Sequence, residues 1–161
     1  MLVVMGGSGS GKSTIARRLA EALDYAFLDG DDLHPPANIA KMSAGVPLED
    51  ADRIPWLDAI AAWMQQELAA GRSAVVACSA LKRAYRDLIR HGCPDAFNVQ
   101  LTGSRDLIAE RQAARHGHFM PPTLMDSQWA TFELLDDDEA GVVVDVGPAA
   151  DELVDQIVEA F

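Results

Sequence analysis

The chain has 161 residues, with 13 Lys and Arg against 25 Asp and Glu, for a formal charge of −12. That length makes one ordinary domain with a real core, and an apolar fraction of 49% argues against disorder. No apolar run approaches the roughly 18–20 residues of a membrane helix, and the negative charge speaks against nucleic-acid binding, which needs a positive surface.

Leu2–Met5 is a short apolar run bounded by glycine and reads as a buried strand. A glycine-rich loop follows, and then Ser13–Leu23 with helical spacing in Ile15, Leu19, Ala20 and Leu23. Tyr25–Leu28 reads as a second strand running into Asp29-Gly30-Asp31, and His34-Pro35-Pro36 breaks the chain. Asn38–Ala44 reads as a short helix closed by Gly45. Asp50 or Asp52 is the expected cap of a longer helix to about Ala70, with Pro55 in its first turn and Gly71 as its stop. Ser73–Cys78 is a strand, Leu81–Arg90 a helix, Ala96–Leu101 a strand and Arg105–Arg115 a helix. His116–Pro122 reads as a loop, Thr123–Leu134 as a helix and Asp136–Glu139 as an acidic turn. Val142–Val146 is a fifth strand and Ala150–Phe161 a closing helix. Strands alternating with helices imply a three-layer α/β fold over residues 1–161, a five-stranded parallel sheet covered on both faces. A small lid is expected at about residues 111–132.

Two cysteines, Cys78 and Cys93, are too few for a disulfide framework and lack metal spacing. No basic segment or cleavage site marks a signal peptide, so a reducing cytoplasm is the expected compartment. The charge is uneven. Residues 82–118 carry 7 basic and 4 acidic side chains, whereas residues 119–161 carry 11 acidic and no Lys or Arg. The cationic stretch is the natural place to seek groups that meet an anion, and the acidic one is read as serving solubility.

Gly6-Gly7-Ser8-Gly9-Ser10-Gly11-Lys12-Ser13 fits G-x-x-x-x-G-K-[ST] in full, between a strand and a helix. Glycines let the backbone curl so that successive N–H groups point at phosphate oxygens, and the helix adds its positive end. Lys12 is expected to reach the β- and γ-phosphates of ATP and the Ser13 hydroxyl to bind Mg²⁺, with Thr14 completing the nucleotide site. No N-K-x-D reads guanine, and the D-x-x-G match at Asp138–Gly141 lies in the acidic turn. So short a phosphate-loop domain reads as a small kinase. Asp29 and Asp31 follow the second strand, beside the phosphate loop. Asp29 is the candidate to hold Mg²⁺, directly or through water, and Asp31 the candidate base for a substrate hydroxyl. Asp32 reads as a turn or cap residue. No acid ends the third strand, where Ala77-Cys78-Ser79 stands, so magnesium must rest on Ser13, waters and Asp29.

Phe27-Leu28-Asp29-Gly30-Asp31-Asp32-Leu33-His34-Pro35, Asn38–Met42, Gly45–Leu48, Asp50–Leu57, Cys78–Lys82 and Arg115–Met120 resemble the gluconokinase family, over nearly the whole chain. The resemblance implies a shikimate-kinase-like fold and ATP-dependent phosphorylation of D-gluconate on its 6-hydroxyl. A sugar acid needs a cation for its carboxylate. By analogy with related kinases Arg53, Lys82 and Arg86 are the candidates, and His34 is a candidate partner for a hydroxyl. Arg111 and Arg115, four apart before a Gly/Pro loop hinged at Gly117, are expected as lid groups that close over the phosphates. The loop Asp145–Pro148 is where such folds hold adenine. Two competing readings are a kinase for another small anion, such as shikimate or adenylyl sulfate, and a nucleotide-binding module without catalysis. Trp56, Trp63 and Trp129 fall on helices in the core or an interface, and a homodimer is left open.

Overall fold

The computed structural model describes residues 1–114 and 123–161. Strands β1 (Leu2–Met5), β2 (Ala26–Asp29), β3 (Ala74–Cys78), β4 (Phe97–Thr102) and β5 (Gly141–Asp145) form one parallel sheet in the order β2-β3-β1-β4-β5. The helices are α1 (Lys12–Leu23), α2 (Pro36–Ser43), α3 (Asp50–Ala69), α4 (Arg83–Gly92), α5 (Arg105–Ala113), α6 (Thr123–Thr131) and α7 (Ala150–Ala160), with a 3₁₀ turn at Gly30–Leu33.

Every residue of β1 and β3 is buried, because both faces of the sheet are covered. Side chains alternate between the faces. Leu2, Val4, Val75 and Ala77 join Ile15, Leu19, Leu153 and Ile157 in one core beneath α1 and α7. Val3, Met5, Val76 and Cys78 join Trp56, Leu57, Ile60, Met64 and Ile89 in the other, beneath α3 and α4. Burying an aliphatic or aromatic side chain in this way contributes about 1.5–3 kcal/mol each. The chain fills positions on one side of β1 and then crosses to the other, so β1 marks the switch point. A ligand crevice is expected beyond the carboxyl ends of strands at such a point.

Local details differ from the sequence expectations for identifiable reasons. Glu49, not Asp50 or Asp52, is the N-cap of α3, and Asp52 reaches back to accept from the Glu49 N–H at 2.9 Å. Asp50 is thereby free to point at α4. Helix α6 stops at Thr131, short of Leu134, because tertiary partners take the next amides: Glu133 N–H donates to Leu81 O at 2.8 Å and Leu135 N–H to Gln100 Oε1 at 2.9 Å.

Candidate active site

The phosphate loop leaves the centre of the sheet at the end of β1. Gly9 and Gly11 take φ of 84° and 88°, and a Cβ on Gly9 would stand 2.9 Å from Ile108 O. Both conformation and space therefore demand glycine at position 9. The Lys12 ammonium donates to Gly7 O at 3.2 Å, which folds this side chain back over the loop. Helix α1 begins at Lys12, directing its N-terminal amides into the same hollow.

Asp29 is the last residue of β2, and its Oδ2 accepts from the Ser13 hydroxyl at 2.7 Å. Its Oδ1 accepts from the Asp31 N–H at 3.1 Å, which caps the 3₁₀ turn and fixes the carboxylate. The two residues expected to share a divalent cation therefore already touch. Among the described residues no group of three His, Cys, Asp or Glu gathers as a metal cage. One hydroxyl and one carboxylate suit a Mg²⁺ ion that takes its remaining ligands from phosphate and water. Cys78, where an acid is missing, is fully buried and its thiol is pushed far up by desolvation, so it remains neutral.

A second cavity opens beside the loop, lined by Asp31, His34, Arg53, Ser79, Ser127 and Gln128 and closed by apolar groups such as Met42 and Leu124. His34 is 8% exposed and stacks on Trp56 with centroids 4.1 Å apart. The Trp56 indole in turn donates to Gly30 O at 2.6 Å, so the ring pair is tied to the turn that carries Asp31. Burial lowers the His34 pKa, against Asp31, which raises it, and with Arg53, which lowers it further. The imidazole is accordingly neutral near pH 7. Its Nε2 lies 3.8 Å from Asp31 Oδ1. Arg53, in the first turn of α3, makes no ion pair with any described residue; its guanidinium lies over the Tyr85 ring, 5.4 Å from the centroid.

Two of the three expected carboxylate cations already have anionic partners. Arg86 is withdrawn into the protein, its side chain 1% exposed. It donates from Nε and Nη2 to both Glu139 oxygens at 2.6 and 2.7 Å, and to Glu133 O and Leu134 O at 3.1 Å each. A guanidinium with four N–H bonds directed inward has no face for a ligand, so the expectation for Arg86 is corrected to an internal tie. Lys82 does not line the cavity. It pairs with Asp50 at 3.0 Å, and the Tyr85 hydroxyl donates to the same carboxylate. The acidic segment is also corrected: its carboxylates are partners as well as surface. Arg83 pairs with Asp136 and Asp138, Arg86 with Glu139, Arg105 with Asp126, and Arg18 with Asp151.

Arg111 stands on a third cavity, with Ser10, Gly11, Thr14 and Pro148. It donates to Val146 O at 2.8 Å, on the loop after β5. That places Arg111 between the phosphate loop and the loop after β5, where adenine is expected. Arg115 and the His116–Pro122 loop, with the expected hinge at Gly117, lie outside the described residues.

Two residues at or beside the site were not singled out in the sequence. Gln128 accepts from the Ser8 N–H of the phosphate loop at 2.7 Å and also lines the cavity of Asp31 and Arg53. It stands in a helix without any motif, and nothing local marks it. Asn38, buried beneath His34, lies in a string recognisable only by resemblance, and its partners come from two other segments.

Comparison with known proteins gives the family and the fold. A family model described as an AAA domain matches residues 1–135. A gluconokinase of Gluconobacter oxydans (strain 621H) is 45% identical over 160 residues, covering 99% of this chain and 90% of the relative. The crystal structure of a gluconokinase from Sinorhizobium meliloti 1021 superposes with a TM-score of 0.86 at 46% identity, covering 99% of this chain and 89% of the other. The shikimate kinase of Aquifex aeolicus vf5 shares the fold, with a TM-score of 0.62 at 14% identity over 99% of this chain and 94% of the other. Among the described residues no helix is long and apolar enough to cross a membrane.

Proposed function

The chain belongs to the gluconokinase family, and from that premise we propose that it transfers the terminal phosphoryl group of ATP to the 6-hydroxyl of D-gluconate, giving 6-phospho-D-gluconate and ADP. The observation that carries this reading is Arg53. A cation that makes no ion pair with a described residue lines a cavity that also holds Asp31 and His34, next to the phosphate loop. A planar guanidinium there pairs with a carboxylate at one end of the acceptor, while Asp31 meets a hydroxyl at the other.

In this scheme the loop amides of residues 7–13 and the Lys12 ammonium hold the β- and γ-phosphates. Asp31 accepts the proton of the attacking hydroxyl, and its carboxylate is kept at the cavity by the 3₁₀ turn. His34, neutral and buried against Trp56, orients a hydroxyl or Asp31 itself. Ser13 and Asp29 would hold Mg²⁺. Bound there, the ion neutralises charge on the phosphates of the nucleotide. Arg111 flanks the base pocket, and Arg115 is assigned to closing over the phosphates. We place the reaction in the cytoplasm, where the free thiols of Cys78 and Cys93 stay reduced.

The test is turnover of ATP, Mg²⁺ and D-gluconate, with ³¹P NMR of the product. The expected product is a monoester on the terminal carbon. Absence of gluconate turnover together with turnover of shikimate or another acid would end this reading.

A further inference from the structure

Asn38 is 3% exposed and touches no part of the nucleotide site, yet its side-chain amide makes two bonds with a directional consequence. Its Nδ2 donates to the backbone carbonyl of Asp52 at 2.9 Å and points its other hydrogen at His34 Nδ1, 3.3 Å away. The carbonyl of Asp52 accepts only. Turning the amide over would bring two oxygens together, so the orientation of Asn38 is fixed by backbone. A fixed N–H donor facing His34 Nδ1 requires that nitrogen to be unprotonated. The ring proton of a neutral imidazole then sits on Nε2, the nitrogen that faces Asp31.

Resting on the acceptor site assigned above, we propose that Asn38 is a positioning residue: its amide sets the tautomer of His34, so that His34 presents an Nε2–H donor to the acceptor hydroxyl and Asp31. His34 thus serves as a hydrogen-bond donor and leaves the role of base to Asp31. The surroundings agree. Stacking on Trp56 holds the plane of the ring, and burial keeps it uncharged. The chain of contacts runs from Asp52 O through Asn38 and His34 to Asp31. Since Asp52 is itself held by Lys41 at 2.7 Å, helix α2 and the start of α3 set the hydrogen-bond polarity of the acceptor pocket together.

The direct test is long-range ¹H–¹⁵N correlation on the ¹⁵N-histidine-labelled protein near pH 7, with His34 assigned as the signal lost in His34→Gln. The expected pattern is an unprotonated Nδ1 and a protonated Nε2. A dominant Nδ1–H tautomer, or an even mixture of the two, overturns the proposal without any variant being made. In Asn38→Leu the preference is expected to relax toward a mixture. There kcat/KM for gluconate should fall about 10- to 100-fold while KM for ATP stays within about twofold, as for other groups that orient a histidine through its far nitrogen. A folded Asn38→Leu protein with unchanged gluconate kinetics also overturns it. A wild-type protein that phosphorylates no gluconate overturns the substrate assignment instead, and the tautomer still decides the role of Asn38.

Discussion

Two arginine-bearing regions of this molecule look alike in sequence and differ in what surrounds them. The stretch 82–118 carries 7 of the 13 basic residues and was the natural source of anion-binding groups. Folded, it is largely consumed. Arg83, Arg86 and Arg105 are taken by Asp136, Asp138, Glu139 and Asp126 of the acidic C-terminal part, and Arg90 by Asp87. Arg53 comes from a stretch with more acids than bases, yet it faces the cavity with an aromatic ring beneath it and no ion pair among the described residues. Regional charge thus does not locate a binding cation. What matters is whether the elements packed against an arginine already supply its anion. Here the acidic segment neutralises one region, while Arg53 keeps no ion pair among the described residues.

The comparison breaks most visibly if the two regions respond alike to substitution. Asp31→Asn, on the ligand side, is expected to lower kcat by about 10²- to 10⁴-fold, as befits a lost general base, with Tm nearly unchanged. Equal kcat in the variant would remove Asp31 from the reaction.

Arg86→Met, on the structural side, is expected to cost about 3–5 kcal/mol of unfolding free energy, because it strands a Glu139 side chain that is only 3% exposed. Steady-state KM for gluconate in the folded fraction should stay within about twofold. A large rise in KM with unchanged stability would return Arg86 to the acceptor site. The same pair has a pH signature. Burial alone would raise the Glu139 pKa, but hydrogen bonds from Arg86 and the Asp136 N–H more than offset it, leaving it below the ordinary value. Its contribution is therefore present above the unfolded pKa of about 4.3 and is lost as pH falls through the lower, folded value. Acid titration of Tm should show this loss in the wild type and a smaller one in Arg86→Met.

Arg53→Met is expected to reduce kcat/KM for gluconate about 10- to 150-fold, the equivalent of one charge-assisted hydrogen-bond pair, with kcat falling less than KM rises. Lys82→Met should do least. Its pair with Asp50 is partly exposed, so stability changes by less than about 1 kcal/mol and gluconate KM by less than about threefold.

The contrast also explains how far the sequence could be read. The phosphate loop was legible because its function is carried by consecutive backbone amides and by glycines at positive φ, all local properties. The five strands and their parallel sense followed from apolar runs alternating with helices, whereas their order in the sheet did not. Asp29 and Asp31 stood out in the sequence because they mark the end of a strand, Asp29 closing β2 and Asp31 lying in the turn after it. Arg53, Lys82 and Arg86 were all reasonable cations, but choosing among them requires knowing where Asp50 and Glu139 fold. Those acids come from 32 and 53 residues away. Gln128 and Asn38 act through contacts 120 residues away and across two segments, respectively, which no local pattern encodes. The end of α6 was overestimated for the same reason, since its last amides found partners on β4 and before α4.

The most direct measurement is a competition between charged and neutral acceptors. With ATP and Mg²⁺, kcat/KM is determined for D-gluconate and for D-glucose, which keeps the terminal hydroxyl and lacks the carboxylate, in wild type and in Arg53→Met. The wild type is expected to favour gluconate by more than about 10²-fold, and Arg53→Met to lose most of that preference through gluconate alone. An Arg53→Met protein that retains the full preference would show that the carboxylate is read by another group.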